Sequence, residues 1–285
     1  MERAPQPGTA AVTTSVPPAE RPARRDLPTG PWWAWRDSWI EARRHLLAIP
    51  RNPYLLAFSI VQPLMFVVLF AYVFGDSVQV PGYPDYLQYL MPAVYAQSLL
   101  FGTNFTAVGL AEELASGYTD RLRSLPIHQS AVLVGRTLSD LCRNSGTFVV
   151  MFAVGYLVGF RVEGSLAGAA GASVLLLAFG YAFSWIQALI GLSAGSAEAA
   201  SSGGFIWMFP VTFISSGFVA VSSMPPLFEW FAGWNPFSTL CDAARALYNG
   251  TDPGNDVWIS IAWAVGITVV FATLSCRRFA RMSTG

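Results

Sequence analysis

Six long apolar segments, none containing a charged residue, constrain the fold of this sequence most strongly. They lie approximately at residues 54–75, 86–110, 144–160, 166–192, 203–221 and 257–276. A helix of about 20 apolar residues crosses the ~30 Å hydrocarbon core of a bilayer, and most of the segments approach this length. The third segment is short on its own but extends back through residues 138–142. We therefore predict an all-α, polytopic membrane protein with six transmembrane helices.

The charged residues are few, and they are sorted to particular ends and connections of these segments. They make up 12% of the 285 residues, whereas a soluble domain typically carries about 25%. This composition excludes a disordered chain and argues against a soluble enzyme. All 17 basic residues are Arg, and fifteen of them lie before the first segment, around the connection between the second and third, or after the sixth. Because positive charge stays on the cytoplasmic side, we predict a plasma-membrane protein with both termini in the cytoplasm.

The absence of lysine excludes one way of using ATP. A Walker A loop needs a lysine at the nucleotide phosphates, so a separate chain must hydrolyse ATP if the protein uses it. We expect no cofactor on this chain, with ATP and Mg held by a partner. Three scattered cysteines (Cys142, Cys241 and Cys276) and two distant histidines do not form a metal-ligand set. The net charge of zero gives no indication of a nucleic-acid partner.

The N-terminal region divides into a tail and a helix. Residues 1–30 are rich in proline and predict a disordered cytoplasmic tail. Residues 32–47 have a helical apolar pattern in which Trp32, Trp35 and Trp39 share one face. Because tryptophan favours the boundary between lipid and water, this pattern predicts a helix lying on the membrane surface.

The connection between the second and third segments carries an amphipathic pattern. Leu114, Tyr118, Leu122 and Leu125 form one apolar stripe of a helix predicted at 112–125, which Pro126 ends. This helix is either a solvated loop helix or a helix that docks into a cleft of a cytosolic partner. The residues predicted to make such a contact are Glu112, Glu113, Gly117, Tyr118, Asp120, Arg121, Leu122 and Arg123.

The long stretch after the fifth segment, residues 222–256, is too aromatic for a solvated loop. Prolines divide it into two short pieces at 227–234 and 237–247, neither long enough to span a membrane. We predict two short re-entrant helices within 224–247, which dip into the outer leaflet; an ordinary extracellular cap is the alternative. The residues assigned to this feature are Pro225, Trp234, Asn235, Pro236 and Arg245.

Two kinds of chemistry find little support in the sequence. The six segments contain no Asp, Glu or His, which argues against a proton relay. The run Gly191-Leu192-Ser193-Ala194-Gly195 matches the G-x-S-x-G pattern of a hydrolase nucleophile. Because it ends a membrane segment instead of following a strand, we interpret it as small-residue packing, and an intramembrane hydrolase is only a distant alternative. The small residues at 193–204 indicate close helix packing or a hinge.

Three stretches together carry a resemblance to a known family. The first is Arg51-Asn52-Pro53, followed by Gln62-Pro63 and Tyr72-Val73-Phe74-Gly75. The second contains Glu113, Gly117, Asp120, Arg121, Leu122, Leu125 and Pro126, and continues into Gly135-Arg136, Asp140 and Arg143. The third contains Met224-Pro225, Asn235-Pro236, Arg245 and Gly250. Over roughly residues 32–280, the chain resembles the ABC-2 type permeases, in the branch of the daunorubicin-resistance membrane subunits.

This resemblance implies most of the functional expectations. Residues 31–285 would form one transmembrane domain with six spans, paired as a homodimer or heterodimer and bound to two copies of a cytosolic ABC ATPase. The helix at 112–125 would be the coupling helix, the helix at 32–47 the interfacial helix, and the pieces within 224–247 the re-entrant helices near the exit.

The expected function is ATP-driven export of a small hydrophobic or amphipathic molecule, such as an antibiotic or a lipid. The path would lie between two protomers in contact with membrane lipids, and it would be lined by Tyr72, Phe101, Phe205, Phe209 and Phe213. Core packing or lipid contact is the alternative for each of these side chains. The rival functions are a permease of the same fold for polysaccharide or a membrane lipid, and an ATP-independent channel or secondary transporter.

Overall fold

Helices account for all of the regular secondary structure in the part of the chain that the computed structural model describes, namely residues 61, 64–69, 83, 85–117 and 129–282. In chain order they are α1 (Tyr86–Gly102), α2 (Asn104–Ala115), α3 (Gln129–Val158), α4 (Leu166–Gly191), α5 (Ala197–Phe213), a 3-10 turn (Val221–Ser223), α6 (Pro226–Trp234), α7 (Pro236–Asn249) and α8 (Asp256–Arg281). The predicted tail at 1–30 and the predicted helix at 32–47 lie outside the described residues. So does most of the predicted span at 54–75, of which residues 64–68 are helical. The all-α fold class is confirmed for the described residues.

Three of the described helices are long and apolar enough to cross a membrane. They are Val132–Val158, Leu166–Gly191 and Asp256–Arg281, which correspond to the third, fourth and sixth predicted spans. At the observed 26 or 27 residues, a rise of about 1.5 Å per residue gives each helix a length of about 40 Å. α1 and α5 are shorter, with 17 residues each. The total of six spans remains a prediction.

The second predicted span is not one continuous helix. α1 ends at Gly102 and α2 begins at Asn104, so the expectation of a single helix over 86–110 is wrong. At the break, the Thr106 N–H donates to the carbonyl of Thr103, at 2.9 Å, instead of to the carbonyl of Gly102. The freed Gly102 carbonyl accepts a hydrogen bond from Arg143 Nη2 of α3 at 2.8 Å. Side-chain donors that take carbonyls out of the helical ladder are a known cause of such breaks.

The third span is longer than its apolar segment. α3 begins at Gln129 and continues to Val158, instead of covering only 144–160. It contains no proline, and Gly159, the residue after its last turn, has a positive φ of 125° that does not continue the helix. Because α3 includes Arg136, Asp140 and Arg143, the expectation that the spans contain no charged residue is wrong.

The fifth span also has different boundaries. α5 begins at Ala197, within the connection predicted at 193–204, and ends at Phe213, before the expected end at residue 221. The Ser196 side chain caps its first turn by accepting from the Ala199 N–H at 3.1 Å. An irregular strap over residues 214–220 then leads to α6 and α7. These two short helices lie close to the predicted pieces at 227–234 and 237–247, and each begins with a proline, as helices often do.

α4 lies at the centre of the described part and packs against α2, α3, α7 and α8. Glycines allow the backbone of α2 to approach α4 closely, and the backbone of α7 to approach the loop before α4. A Cβ on Gly191 would lie 2.5 Å from the Ala107 carbonyl oxygen of α2, and a Cβ on Gly164 would lie 2.6 Å from the Leu247 carbonyl oxygen of α7. The beginning of α2, the end of α4 and the beginning of α5 also meet, because Ala107, Ile190 and Ala200 belong to one apolar cluster.

Candidate functional site

Four of the five side chains predicted to line a translocation path form one continuous row of rings. We call Phe101, Phe205, Phe209 and Phe213 the aromatic band. The ring centroid of Phe101 lies 5.9 Å from that of Phe205 and 5.4 Å from that of Phe209. The centroids of Phe209 and Phe213 are 6.0 Å apart. The fifth predicted residue, Tyr72, lies outside the described residues.

The aromatic band faces outward at one end. Phe205, Phe209 and Phe213 recur every four residues, so they share one face of α5. Phe101 is buried, whereas Phe209 and Phe213 are exposed. Phe66 extends the row, with its ring centroid 6.3 Å from that of Phe213. This row provides a surface for an apolar compound, a lipid chain or another apolar protein surface.

A partly buried ion-pair network joins the last turn of α2 to α3. We call Glu113, Arg136, Asp140 and Arg143 the charge cluster. Arg136 Nη1 lies 3.1 Å from Glu113 Oε1, and Arg143 Nη1 lies 2.9 Å from Asp140 Oδ1. Arg136 Nε is 3.5 Å from Asp140 Oδ2, which also accepts a hydrogen bond from Thr106 Oγ1 at 2.6 Å. Asp140 is only 3% exposed, so its charge depends on these partners.

The local sequence explains how the charge cluster forms. Residues 136, 140 and 143 are spaced by four and three positions, which places them on one face of α3. Arg136 reaches α2 because Gly109 has no side chain there: a Cβ on Gly109 would lie 2.0 Å from Arg136 Nη2. The same Nη2 donates to the Phe105 carbonyl at 3.1 Å. The cluster therefore fixes the position of α2 along α3.

The structure differs from the prediction at the beginning of the coupling helix predicted at 112–125. Glu112 and Glu113 belong to the last turn of α2, which ends at Ala115. Gly117 then adopts a left-handed conformation with φ 67°, so one helix over 112–125 is not formed. Glu112 is exposed, whereas Glu113 is partly buried against Arg136. The remaining predicted contact residues lie outside the described part: Tyr118, Asp120, Arg121, Leu122 and Arg123.

Arg245, assigned from the sequence to a re-entrant helix, binds the strap that follows α5. Its Nη2 donates to the carbonyls of Ser216 and Gly217 at 2.7 and 2.6 Å. Its Nε donates to the Tyr89 carbonyl at 2.8 Å, and its Nη1 lies 2.6 Å from Asp242 Oδ1. The guanidinium carbon also lies 3.6 Å from the centroid of the Tyr89 ring. With 1% exposure, Arg245 is a structural clamp between α1, α7 and the strap.

Asn235 makes a second connection to the end of α5. Its Oδ1 accepts from the Phe237 N–H at 2.9 Å and caps α7, which begins at Pro236. Its Nδ2 donates to the carbonyls of Val211 and Ile214 at 2.7 and 2.6 Å. Asn235 thus satisfies carbonyls that the end of a helix leaves without partners.

α6 presents a different surface from α7. Pro225 precedes it, and the large apolar side chains of α6 are exposed, including Trp234. Only Ala232 of this helix is buried. The two helices exist as predicted, but their re-entrant position in the membrane is a prediction that these contacts do not test.

Tyr83 lies next to the Arg245 clamp, with its ring centroid 5.2 Å from that of Tyr89. Burial raises the pKa of the Tyr83 hydroxyl above the usual phenol value, and the positive charge of Arg245 opposes part of this shift. Tyr83 therefore contributes a neutral aromatic ring to the clamp near neutral pH.

The hydrolase-like motif has no catalytic geometry. Ser193 Oγ donates to the Leu189 carbonyl at 2.8 Å in its own helical turn, and both histidines lie outside the described residues. Gly191 of the motif packs on the α2 backbone, as the small-residue interpretation predicts. In the described part of the chain, no group of His, Cys, Asp and Glu has the arrangement of a metal site.

The sequence supplied the aromatic band but not the role of the charge cluster. In the sequence, Arg136, Asp140 and Arg143 belong only to the family resemblance, and the two arginines lie around a predicted cytoplasmic connection. Their spacing by four and three positions places them on one helical face, but they lie outside or at the edge of the apolar segment that predicts the third span.

The three membrane-length apolar helices of the described part indicate an integral membrane protein. The chain matches the ABC-2 type transporter family over residues 37–249. It is 32% identical to the daunorubicin resistance ABC transporter permease protein DrrB1 of Streptomyces coeruleorubidus, with 96% of each chain covered. It is 25% identical to a Mycobacterium tuberculosis protein described as a probable doxorubicin resistance ABC transporter permease, DrrC, with 86% of this chain and 88% of that protein covered. The chain therefore belongs to the ABC-2 type transporter family.

Proposed function

We propose that this chain is the permease subunit of an ABC exporter that moves amphipathic, drug-like compounds out of the cell across the plasma membrane. Family membership supports the transport function, and the names of the two relatives support a drug-like cargo. The observation that carries the cargo class is the aromatic band, because ring systems favour stacked and edge contacts with aromatic side chains. Tyr72 would extend this lining.

ATP hydrolysis belongs, in this proposal, to a separate ATPase present in two copies, because the chain has no lysine for a Walker A loop. This chain is then not an enzyme, and it binds neither ATP nor Mg. A second permease copy, identical or related, would complete the path. Each copy would have six spans, cytoplasmic termini and two re-entrant helices at the outer end.

The ATPase would contact the segment between α2 and α3, including Glu112, Gly117 and the predicted contact residues beyond them. The charge cluster lies directly at the α2 side of this segment, since Glu113 belongs to the last turn of α2. The Glu113 and Arg136 side chains are only 16% and 12% exposed, and separating a largely buried ion pair is costly, so we expect a displacement of the α2 end to move α3 with it. We propose that this is how ATPase closure reaches the helices that carry the aromatic band.

Two other cargoes and one other driving force define the competing functions. A polysaccharide would require a wide channel with polar rims, whereas the described surface of α5 is apolar and aromatic. A membrane lipid would fit the same apolar surface, so it remains the stronger alternative cargo. An ATP-independent transporter would have no ATPase partner, and purification from native membranes distinguishes it from the proposed complex.

The test is efflux of daunorubicin from a drug-sensitive bacterial host that expresses the permease with its ATPase. We expect ATP-dependent efflux by the wild-type complex and a several-fold loss in Phe209→Ala, because this substitution removes the ring between Phe101 and Phe213. Val269→Ala is the matched control, since Val269 is an exposed apolar residue of α8 outside the aromatic band. Absence of wild-type efflux would overturn the proposed cargo, and equal losses in both variants would overturn the assignment of the band.

A further inference from the structure

The Arg161 side chain is exposed just after the end of α3, yet several contacts hold it in place. Its guanidinium carbon lies 4.1 Å from the centroid of the Tyr156 ring. Its Nη1 donates to the carbonyls of Tyr156 and Phe160 at 2.5 and 2.9 Å. The positive charge also meets the negative end of the helix dipole. Arg161 therefore presents its charge from one defined position at the end of the helix.

The loop that carries Arg161 is anchored to two other helices. The buried Gln88 side chain of α1 pairs with the Arg161 backbone in the amide orientation that satisfies both of its polar atoms. In this orientation, Nε2 donates to the Arg161 carbonyl at 3.0 Å, and Oε1 accepts from the Arg161 N–H at 3.1 Å. The N–H groups of Glu163 and Gly164 both donate to the Tyr248 carbonyl of α7, at 3.0 and 2.8 Å. These bonds fix the backbone from which the Arg161 and Glu163 side chains extend.

One edge of the Arg161 guanidinium has no protein partner. Arginine carries five N–H donors, and the hydrogen bonds of this side chain use only Nη1. In the described part of the chain, its Nε and Nη2 donate to no acceptor. These two nitrogens form the planar fork with which arginine binds two oxygens of a phosphate at once. The open edge therefore fits a phosphate group at the protein surface.

An exposed stripe of apolar and small residues runs along α3 and ends beneath this guanidinium. Gly146, Val149, Ala153 and Tyr156 are exposed and recur every three or four residues, so they lie on one face of the helix. α3 is long and apolar enough to cross a membrane. At about 1.5 Å per residue the stripe is about 15 Å long, half of the ~30 Å hydrocarbon core. This length matches the acyl chains of one leaflet, with the headgroup at Arg161.

The position of the stripe favours lipid over a second protomer as its covering. α3 packs against α1 and α4, whereas the proposed path between protomers lies at the aromatic band, which belongs mainly to α5. The stripe is therefore on a different helix from the one that we expect a second copy to contact.

Glu163 indicates which headgroup fits. Its carboxylate is exposed and forms no ion pair with Arg161 or with another described base. Two separate charges of opposite sign, two residues apart, complement a headgroup that carries both a phosphate and an ammonium. Phosphatidylethanolamine has this pair of charges, and its ammonium has N–H donors for a carboxylate. Phosphatidylglycerol has no positive charge to place near Glu163.

We infer that Arg161, Glu163 and the exposed stripe of α3 bind one phosphatidylethanolamine molecule of the surrounding membrane. The Arg161 fork binds the phosphate, Glu163 accepts from the ammonium, and the acyl chains lie along the stripe. With the predicted cytoplasmic termini, this end of α3 faces the outer leaflet. The site is separate from the aromatic band, and it does not depend on the identity of the exported compound.

The experiment titrates phosphatidylethanolamine and phosphatidylglycerol, with identical acyl chains, into the delipidated permease–ATPase complex in detergent, and native mass spectrometry counts the bound lipids. We expect the wild type to bind phosphatidylethanolamine more tightly. Arg161→Met removes the fork, and we expect the Kd for phosphatidylethanolamine to rise about tenfold, the size of one charge-assisted hydrogen bond. Glu163→Gln keeps the phosphate contact and should abolish the preference for phosphatidylethanolamine, which a purely structural role of the loop would not change.

Exposed residues of the same types elsewhere supply the matched controls. Arg278→Met removes an exposed arginine near the end of α8, and Glu229→Gln removes an exposed carboxylate of α6. Arg278→Met should leave the Kd for phosphatidylethanolamine unchanged, and Glu229→Gln should leave the lipid preference unchanged.

The opposing outcomes are also defined. An unchanged Kd in Arg161→Met overturns the site, as does an equal rise in Arg278→Met, which would indicate attraction by surface charge in general. A lipid preference that persists in Glu163→Gln overturns the headgroup assignment. Loss of a permease copy from the complex in Arg161→Met, with lipid binding unchanged, would show that this face contacts a second protomer instead.

Discussion

Replacing Arg245 by methionine tests the clamp that holds the strap after α5. The substitution keeps an unbranched apolar stem but removes the four hydrogen bonds to Tyr89, Ser216, Gly217 and Asp242. A buried carbonyl that loses its donor costs about 1–3 kcal/mol. Arg245 donates to three such carbonyls, so about 5 kcal/mol is the expected loss of stability; the ion pair adds little, because the Asp242 side chain is 42% exposed. For a chain of this size, that corresponds to a fall of about 10 °C in the melting temperature.

The assay is thermal unfolding of the purified permease, followed by size-exclusion chromatography of the heated samples. Arg161→Met is the matched control because Arg161 is an exposed arginine, which stacks on Tyr156 at 4.1 Å. We expect the control to melt within about 2 °C of the wild type. If Arg245→Met melts as close to the wild type as the control does, Arg245 does not stabilise the fold by holding the strap.

Three further substitutions test the charge cluster and the hydrolase-like motif. Asp140→Asn should uncouple ATP hydrolysis from efflux, because it removes the negative charge between Arg136 and Arg143; unchanged drug efflux per ATP would contradict this. Gly109→Ala should cause a similar loss by displacing the Arg136 guanidinium, whereas Gly146→Ala, which meets open space on α3, should not; equal efflux in the two variants would count against the cluster. Ser193→Ala should leave efflux unchanged, and a loss of efflux would revive the hydrolase interpretation.

The helices that the sequence predicts best are those whose boundaries are local. α4 and α8 follow uninterrupted apolar segments. α4, observed at Leu166–Gly191, lies within a few residues of both expected ends, and α8, observed at Asp256–Arg281, begins within a few residues of its expected start. α8 continues past its apolar segment because arginines in the last turn favour the negative end of the helix dipole. α6 and α7 were predictable because proline both breaks a helix and starts the next one.

The boundaries that the sequence missed are set by contacts between distant segments. The break at Thr103 accompanies the donation of a hydrogen bond by Arg143 of α3 to the Gly102 carbonyl. α5 ends early at Phe213, and Arg245 binds the carbonyls of the strap that follows. No pattern within either helix indicates these bonds.

The candidate site divides in the same way. The aromatic band was predictable because three of its rings recur every four residues on α5. The charge cluster was not, because Glu113 and Gly109 of α2 meet Arg136 of α3 only in the folded chain. Periodicity identifies a face of one helix, whereas a site built from several helices requires their packing.

We propose that movement of an external ATPase reaches the drug-export path through the charge cluster. The decisive assay is ATP-dependent uptake of daunorubicin into inside-out vesicles that contain the permease and its ATPase. We expect uptake by the wild type and no uptake by Glu113→Arg. ATP-dependent uptake and ATPase association that both persist in Glu113→Arg alone would contradict it.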